Sequence, residues 1–272
     1  MGPDRPEGDI RTYVQSRARA LPPLAVALPT LGVVASELAL FFGLLQVSLA
    51  GHFLTLLLCV GAPLVFTRDL ALFQVFALVP VFRLVNLGMP VFVELTVYWF
   101  PFVYVPLFPA MYFVLQNLDD IDLDFNPRAL ALWFVPAVVA GAVLAEFEYR
   151  ILRPEALITE WTLGQVLVLG GVMLLFVAFV EEVLFRGILQ RALTDRIGFW
   201  PGILLASFLF GMMHSAYANG FEIAFAALIG FIFGYIYVRT ESLLLITLIH
   251  GLLNTFLFGY IPIHGSLVGL LG

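Results

Sequence analysis

The chain has 272 residues, 62% of them hydrophobic and only 12% charged, with a formal net charge of −6. A soluble domain carries about 45–50% apolar and about 25% charged residues, and one core cannot hide such an excess. A soluble enzyme, a coiled coil, a disordered chain and a disulfide scaffold are excluded. The acidic balance gives no sign of nucleic-acid binding, and a polytopic membrane protein remains.

Residues 1–20 hold Pro, Gly and four arginines (Arg5, Arg11, Arg17 and Arg19). They read as a polar tail, since no small-residue cleavage site closes a short apolar core as in a signal peptide. Arginine-rich flanks stay cytoplasmic, which puts the N-terminus inside a plasma-membrane protein. A span needs about 20 apolar residues, and helices are expected because irregular backbone is not tolerated facing lipid. The uncharged runs predict spans near 22–44, 47–66, 91–117, 129–149, 162–185, 199–217, 221–238 and 242–261. Residues 70–88 carry Pro80 and Arg83, with Pro90 just beyond, and predict a short or interfacial helix. The fold expectation is an all-α transmembrane helix bundle of eight spans, nine if residues 70–88 cross. Cys59, alone in an apolar run, reads as a buried small hydrophobe. Glu37, His52 and Glu94 stand isolated and read as packing, interfacial or loop-end groups, and His264 as interfacial. Gly230 and Gly234 form a GxxxG pair that permits close helix packing.

An ionisable group inside a membrane helix costs at least about 2.5–3.5 kcal/mol on insertion scales, so those retained are informative. Glu181 and Glu182 close a charge-free run, residues 161–180. Glu182 and Arg186 are i,i+4 neighbours and can pair. Glu181 is turned about 100° away, lacks a local counter-charge and is available as a general base. The competing reading puts both glutamates in the headgroup zone at a helix end. His214 lies deep in the uncharged run 197–221, with Phe210 one turn before it to orient its ring. A lone histidine in a helix is otherwise a hydrogen-bonded packing residue. His250 and Asn254 lie one turn apart on one face, as a polar site in the bundle or as interhelical glue. All three groups fall on separate predicted helices in the last third of the chain.

EEVLFR (181–186), FGMMH (210–214) and HGLLN (250–254) resemble the EExxxR, FxxxH and HxxxN motifs of the CPBP family. This is the CAAX-protease and bacteriocin-processing group of intramembrane proteases, which includes the type II CAAX prenyl endopeptidases. The resemblance covers roughly residues 161–260. It divides the chain into a cytoplasmic tail (1–20), N-terminal helices of unassigned role (21–160), a catalytic helix core (161–260) and a short C-terminal segment (261–272). It implies a polar cavity within the membrane in which Glu181 and His214 activate a water against a peptide carbonyl. His250 and Asn254 would hydrogen-bond the oxyanion, with Glu182, Arg186 and Phe210 in support. Ser215 follows His214 on a different helix face and is given little weight.

Members of the family are often called metalloproteases, and a divalent metal such as zinc would take Glu181, His214 and His250. There is no HExxH spacing, and a Glu/His-activated water works without metal. The implied partners are the lipid bilayer and a membrane-anchored protein or peptide substrate, a lipidated CAAX-type protein in one branch. The alternatives are a non-catalytic membrane scaffold or immunity-type protein of the same family, and a transporter using Glu181 and His214 as a proton relay. Absent repeated halves speak against the transporter. Eighteen residues follow Asn254, where relatives often have a further span, which bears on how that side of the cavity is covered.

Overall fold

The computed structural model describes residues 24–64, 70–88, 96–116 and 127–266. The N-terminal tail and Glu94 lie outside them. The described residues form helices and connecting turns. The first three helices are α1 (Leu24–Phe41), α2 (Leu45–Gly61) and α3 (Leu70–Gly88). Two short ones follow, α4 (Trp99–Tyr104) and α5 (Leu107–Leu115), and then α6 (Pro127–Leu152). The last four are α7 (Leu163–Ile197), α8 (Phe199–Met212), α9 (Gly220–Thr240) and α10 (Leu243–His264). Seven helical segments are long and apolar enough to cross a membrane, while Leu45–Gly61 and Trp99–Leu115 are apolar but shorter. The protein is an integral membrane helix bundle.

Three expectations change. Residues 70–88 form a helix of 19 residues, long enough to cross, because the Arg83 charge that argued against a span is buried and paired inside the bundle. The described part of the 91–117 span is broken into α4 and α5 around Pro106, which has no backbone N–H to continue a helix. The 162–185 span runs on to Ile197 as a helix of 35 residues. At 1.5 Å per residue that is roughly 50 Å, well beyond a hydrocarbon core of about 30 Å. Glu181 and Glu182 therefore sit at mid-helix and are buried inside the bundle. Wide π-type turns at Met173–Ala178 and Val183–Gln190 flank them on either side. Such turns change the angle at which side chains leave a helix and concentrate at functional sites.

Packing follows from small residues at the crossings. Gly198, at φ 95°, turns α7 into α8. Glu181 stands 17 residues before that turn and His214 16 after it, so equal rise along an antiparallel pair brings them level. A Cβ at Gly234 would lie 2.3 Å from Gln190 Oε1 and one at Gly230 3.2 Å from Phe210 Cδ1, so the GxxxG pair does seat α9 closely. On α10, a Cβ at Gly251 would stand 2.9 Å from the Leu174 Cα. This close approach brings the neighbouring His250 against α7.

Candidate active site

Glu182 is fully buried, and its Oε1 accepts from Arg186 Nη1 at 2.9 Å and from His250 Nδ1 at 2.7 Å. The i,i+4 pair expected from spacing is present, with His250 as its third member. Arg186 also lies over the Phe210 ring, 4.2 Å from its centroid, and its Nη2 donates to the Gly230 carbonyl at 3.4 Å. Two charges taken out of water need this much pairing to be tolerated.

Glu181 faces another way, as the 100° step demands. The Tyr104 hydroxyl donates to its Oε1 at 2.5 Å. Its Oε2 lies 3.9 Å from His250 Nε2.

His214 sits in the turn that ends α8 and not in mid-helix, at φ −95° and ψ 7°, the sparsely populated region where many active-site residues are found. Its Nδ1 is 3.0 Å from the Phe210 carbonyl oxygen. A carbonyl only accepts, so Nδ1 carries the proton and Nε2 is the accepting nitrogen of the neutral ring. The Phe210 ring packs 5.1 Å from the imidazole, so Phe210 orients His214 through both its backbone and its side chain.

Glu181, His214, His250 and Asn254 all line one cavity of about 90 Å³. A second cavity of about 160 Å³ shares Tyr104, Glu181, Phe210 and His214 with it and has Arg83 and Asn86 in its wall. The sequence put these four residues on three separate predicted helices, and the fold brings them to the wall of one cavity, His214 from the turn that follows α8. Glu182 and Arg186 stand behind the site.

Four features escaped the sequence reading. Tyr104 is one aromatic among many in an apolar run. Glu148 of α6 also lines the smaller cavity, and its position just past the uncharged run 129–145 was the available signal. Glu222 is fully buried, and neither carboxylate oxygen has a hydrogen-bond partner among the described residues. It sits in the first turn of α9, where the positive end of the helix favours a carboxylate.

The fourth feature is a correction. Glu37 and His52 are not isolated. Arg83 Nε and Nη2 donate to Glu37 Oε1 and Oε2 at 2.7 and 2.8 Å, and His52 Nε2 lies 3.2 Å from Glu37 Oε1. Ser215 donates to Glu37 Oε2 at 2.5 Å, and Arg83 Nη2 also donates to the Met213 carbonyl. Partners separated by 46 and 178 positions leave no local pattern to read.

The three candidate zinc ligands, Glu181, His214 and His250, do not fit the ion. Among the described residues no three His, Cys, Asp or Glu side chains are grouped so as to hold a metal.

Comparison with known proteins sharpens this picture. Residues 162–256 match the family model described as type II CAAX prenyl endopeptidase Rce1-like. An uncharacterized 24.3 kDa protein of Escherichia coli is 29% identical over 143 residues, covering 50% of this chain and 63% of the relative. No solved structure matches. The matched stretch holds all four cavity residues first singled out, with the glutamate pair, the histidine turn and the His/Asn helix in that order along the chain. Residues 162–256 are thus similar to the type II CAAX prenyl endopeptidase Rce1-like family.

Proposed function

We propose that the protein is an intramembrane endopeptidase that hydrolyses a peptide bond of a membrane-anchored protein. The observation that carries this reading is the convergence of Glu181, His214, His250 and Asn254 on one buried cavity. Tyr104 occupies Oε1 of Glu181, which leaves Oε2 as the basic oxygen. His214 is held with Nε2 as acceptor. A water between these two atoms attacks the peptide carbonyl carbon, and its proton passes to Glu181. The new C–O bond pushes charge onto the carbonyl oxygen, which the Asn254 amide and His250 Nε2 stabilise. Because His250 Nδ1 already donates to Glu182, donation from Nε2 requires the imidazolium, and Glu182 supplies its counter-charge. Collapse breaks the C–N bond as Glu181 returns the proton to the leaving amine. Each step uses side chains of this chain, and none needs a metal.

The substrate class follows the family: a lipid-anchored segment, prenylated CAAX-type in the branch whose model matches. The cavity lies within the plasma membrane, and the N-terminus is cytoplasmic. Membranes carrying the wild type and the Glu181→Gln variant at equal levels are to be compared for new peptide termini. Termini found only with the wild type establish cleavage and name the substrate. Identical termini in both overturn the peptidase and leave the non-catalytic scaffold reading.

A further inference from the structure

Glu37 and Arg83 lie on α1 and α3, outside the matched residues 162–256. Both are buried, Glu37 completely. The Arg83 guanidinium grips the carboxylate with two hydrogen bonds, a planar fork that fixes both groups in orientation. An ion pair alone would close here. This one goes further: besides the contact with His52, two of its outward bonds land on either side of one residue. Arg83 Nη2 takes the Met213 carbonyl, and Glu37 Oε2 takes the Ser215 hydroxyl. Residue 214 between them is the histidine of the site.

The backbone there needs holding. α8 ends at Met212, His214 has bridge-region dihedrals, and Ala218 four residues on has φ 50° in the left-handed region. Such a turn persists only where its surroundings over-determine it. Within the turn itself, the His214 N–H bonds to Gly211 and its Nδ1 to Phe210. Both contacts reach back toward α8. The Glu37–Arg83 pair supplies the contacts from the opposite side, and Arg83 lines the larger cavity beside His214.

We infer that Glu37, Arg83 and Ser215 are positioning residues that clamp the His214 turn, so that the N-terminal helices set the direction of the His214 Nε2. The inference rests on His214 being the water-holding histidine of the proposed peptidase. Placement matters at this scale, because a shift of about 1 Å at a reacting group can cost about a hundredfold in rate.

The chain has four histidines, so ¹⁵N-histidine NMR of the full-length protein in lipid nanodiscs resolves them. In the wild type, His214 should show a protonated Nδ1 and an unprotonated Nε2. Ser215→Ala deletes one hydroxyl and keeps the Glu37–Arg83 pair, and Arg83→Lys keeps the charge without the fork. In both, the His214 ring signals should shift toward tautomer exchange while those of exposed His264 stay in place. Formation of the wild-type-specific termini should slow about 10–100-fold, with the thermal midpoint of Ser215→Ala near that of the parent. Unchanged His214 signals in folded Ser215→Ala overturn the clamp, whatever Arg83→Lys does. Glu181→Gln separates the two ideas. If it still cleaves, the peptidase reading falls. If it is inactive with the His214 signals intact while Ser215→Ala is fully active, only the clamp falls.

Discussion

His250 Nδ1 lies 2.7 Å from Glu182 Oε1, the same oxygen that Arg186 occupies at 2.9 Å. One carboxylate oxygen thus joins a partner one helical turn away to a residue 68 positions further along the chain. Glu182 and Glu181 are adjacent in sequence yet occupy different environments. One is bonded to Arg186 and His250 and the other meets a tyrosine at the cavity.

This difference predicts opposite outcomes for the two glutamates. Glu182→Ala strands Arg186 in the bundle and should cost about 3–5 kcal/mol, read as a lower thermal midpoint of the full chain in detergent. Glu181→Gln should melt close to the wild type and slow peptide cleavage by at least about a hundredfold. Equal melting of Glu182→Ala and the wild type would show that the buried pair carries no stability.

Tyr104→Phe removes one hydroxyl and its bond to Glu181 Oε1. Stability should fall by about 1.5–3 kcal/mol, the range for a hydrogen bond to a charged group. Cleavage should slow more than this implies, because the carboxylate loses the contact that assigns its two oxygens. The ratio of wild-type to variant rates on the same membrane substrate measures it, and a ratio of one removes Tyr104 from the site.

Asn254→Ala should slow cleavage about 10²–10³-fold with unfolding unchanged, the effect of deleting one oxyanion donor. Asn254→Asp should not restore the rate, since an ionised carboxylate accepts and cannot donate. Recovery with Asp would place Asn254 in another role.

Gly251→Ala should destabilise by about 1–3 kcal/mol through overpacking, because the added methyl meets the Leu174 backbone, which cannot rotate away. Gly164→Ala on α7, with nothing within 4 Å of its Cβ, is the matched comparison and should melt at or above the parent temperature. Thermal scans of the two side by side decide the matter.

Treatment with EDTA or 1,10-phenanthroline should leave cleavage at its full rate. A loss restored by added zinc would require a ligand set other than Glu181, His214 and His250.

The residues of the candidate site were legible because membrane sequence makes polarity conspicuous. Glu181, Glu182, His214, His250 and Asn254 interrupt apolar runs, and helical spacing alone pairs Glu182 with Arg186. The length of α7 was not legible, because a charge pair in mid-helix looks like a helix end when its partners are unknown. α3 was underrated for the same reason: Arg83 reads as an unwelcome charge until Glu37 is placed against it. Tyr104 gave no signal, since the hydroxyl that matters rides on one of many rings in the apolar stretches. Ser215 was set aside by its helix face, but α8 stops at Met212 and the face argument no longer applies beyond it.

The Glu37–Arg83 pair also bears on how the chain enters the bilayer. Both partners are translated before residue 162, the start of the family-matched stretch. The carboxylate and guanidinium can neutralise each other while the second half is still on the ribosome, which spares the early helices two unmatched charges in lipid. The Met213 carbonyl and the Ser215 hydroxyl, which also bond to this pair, lie in the later-made half of the chain.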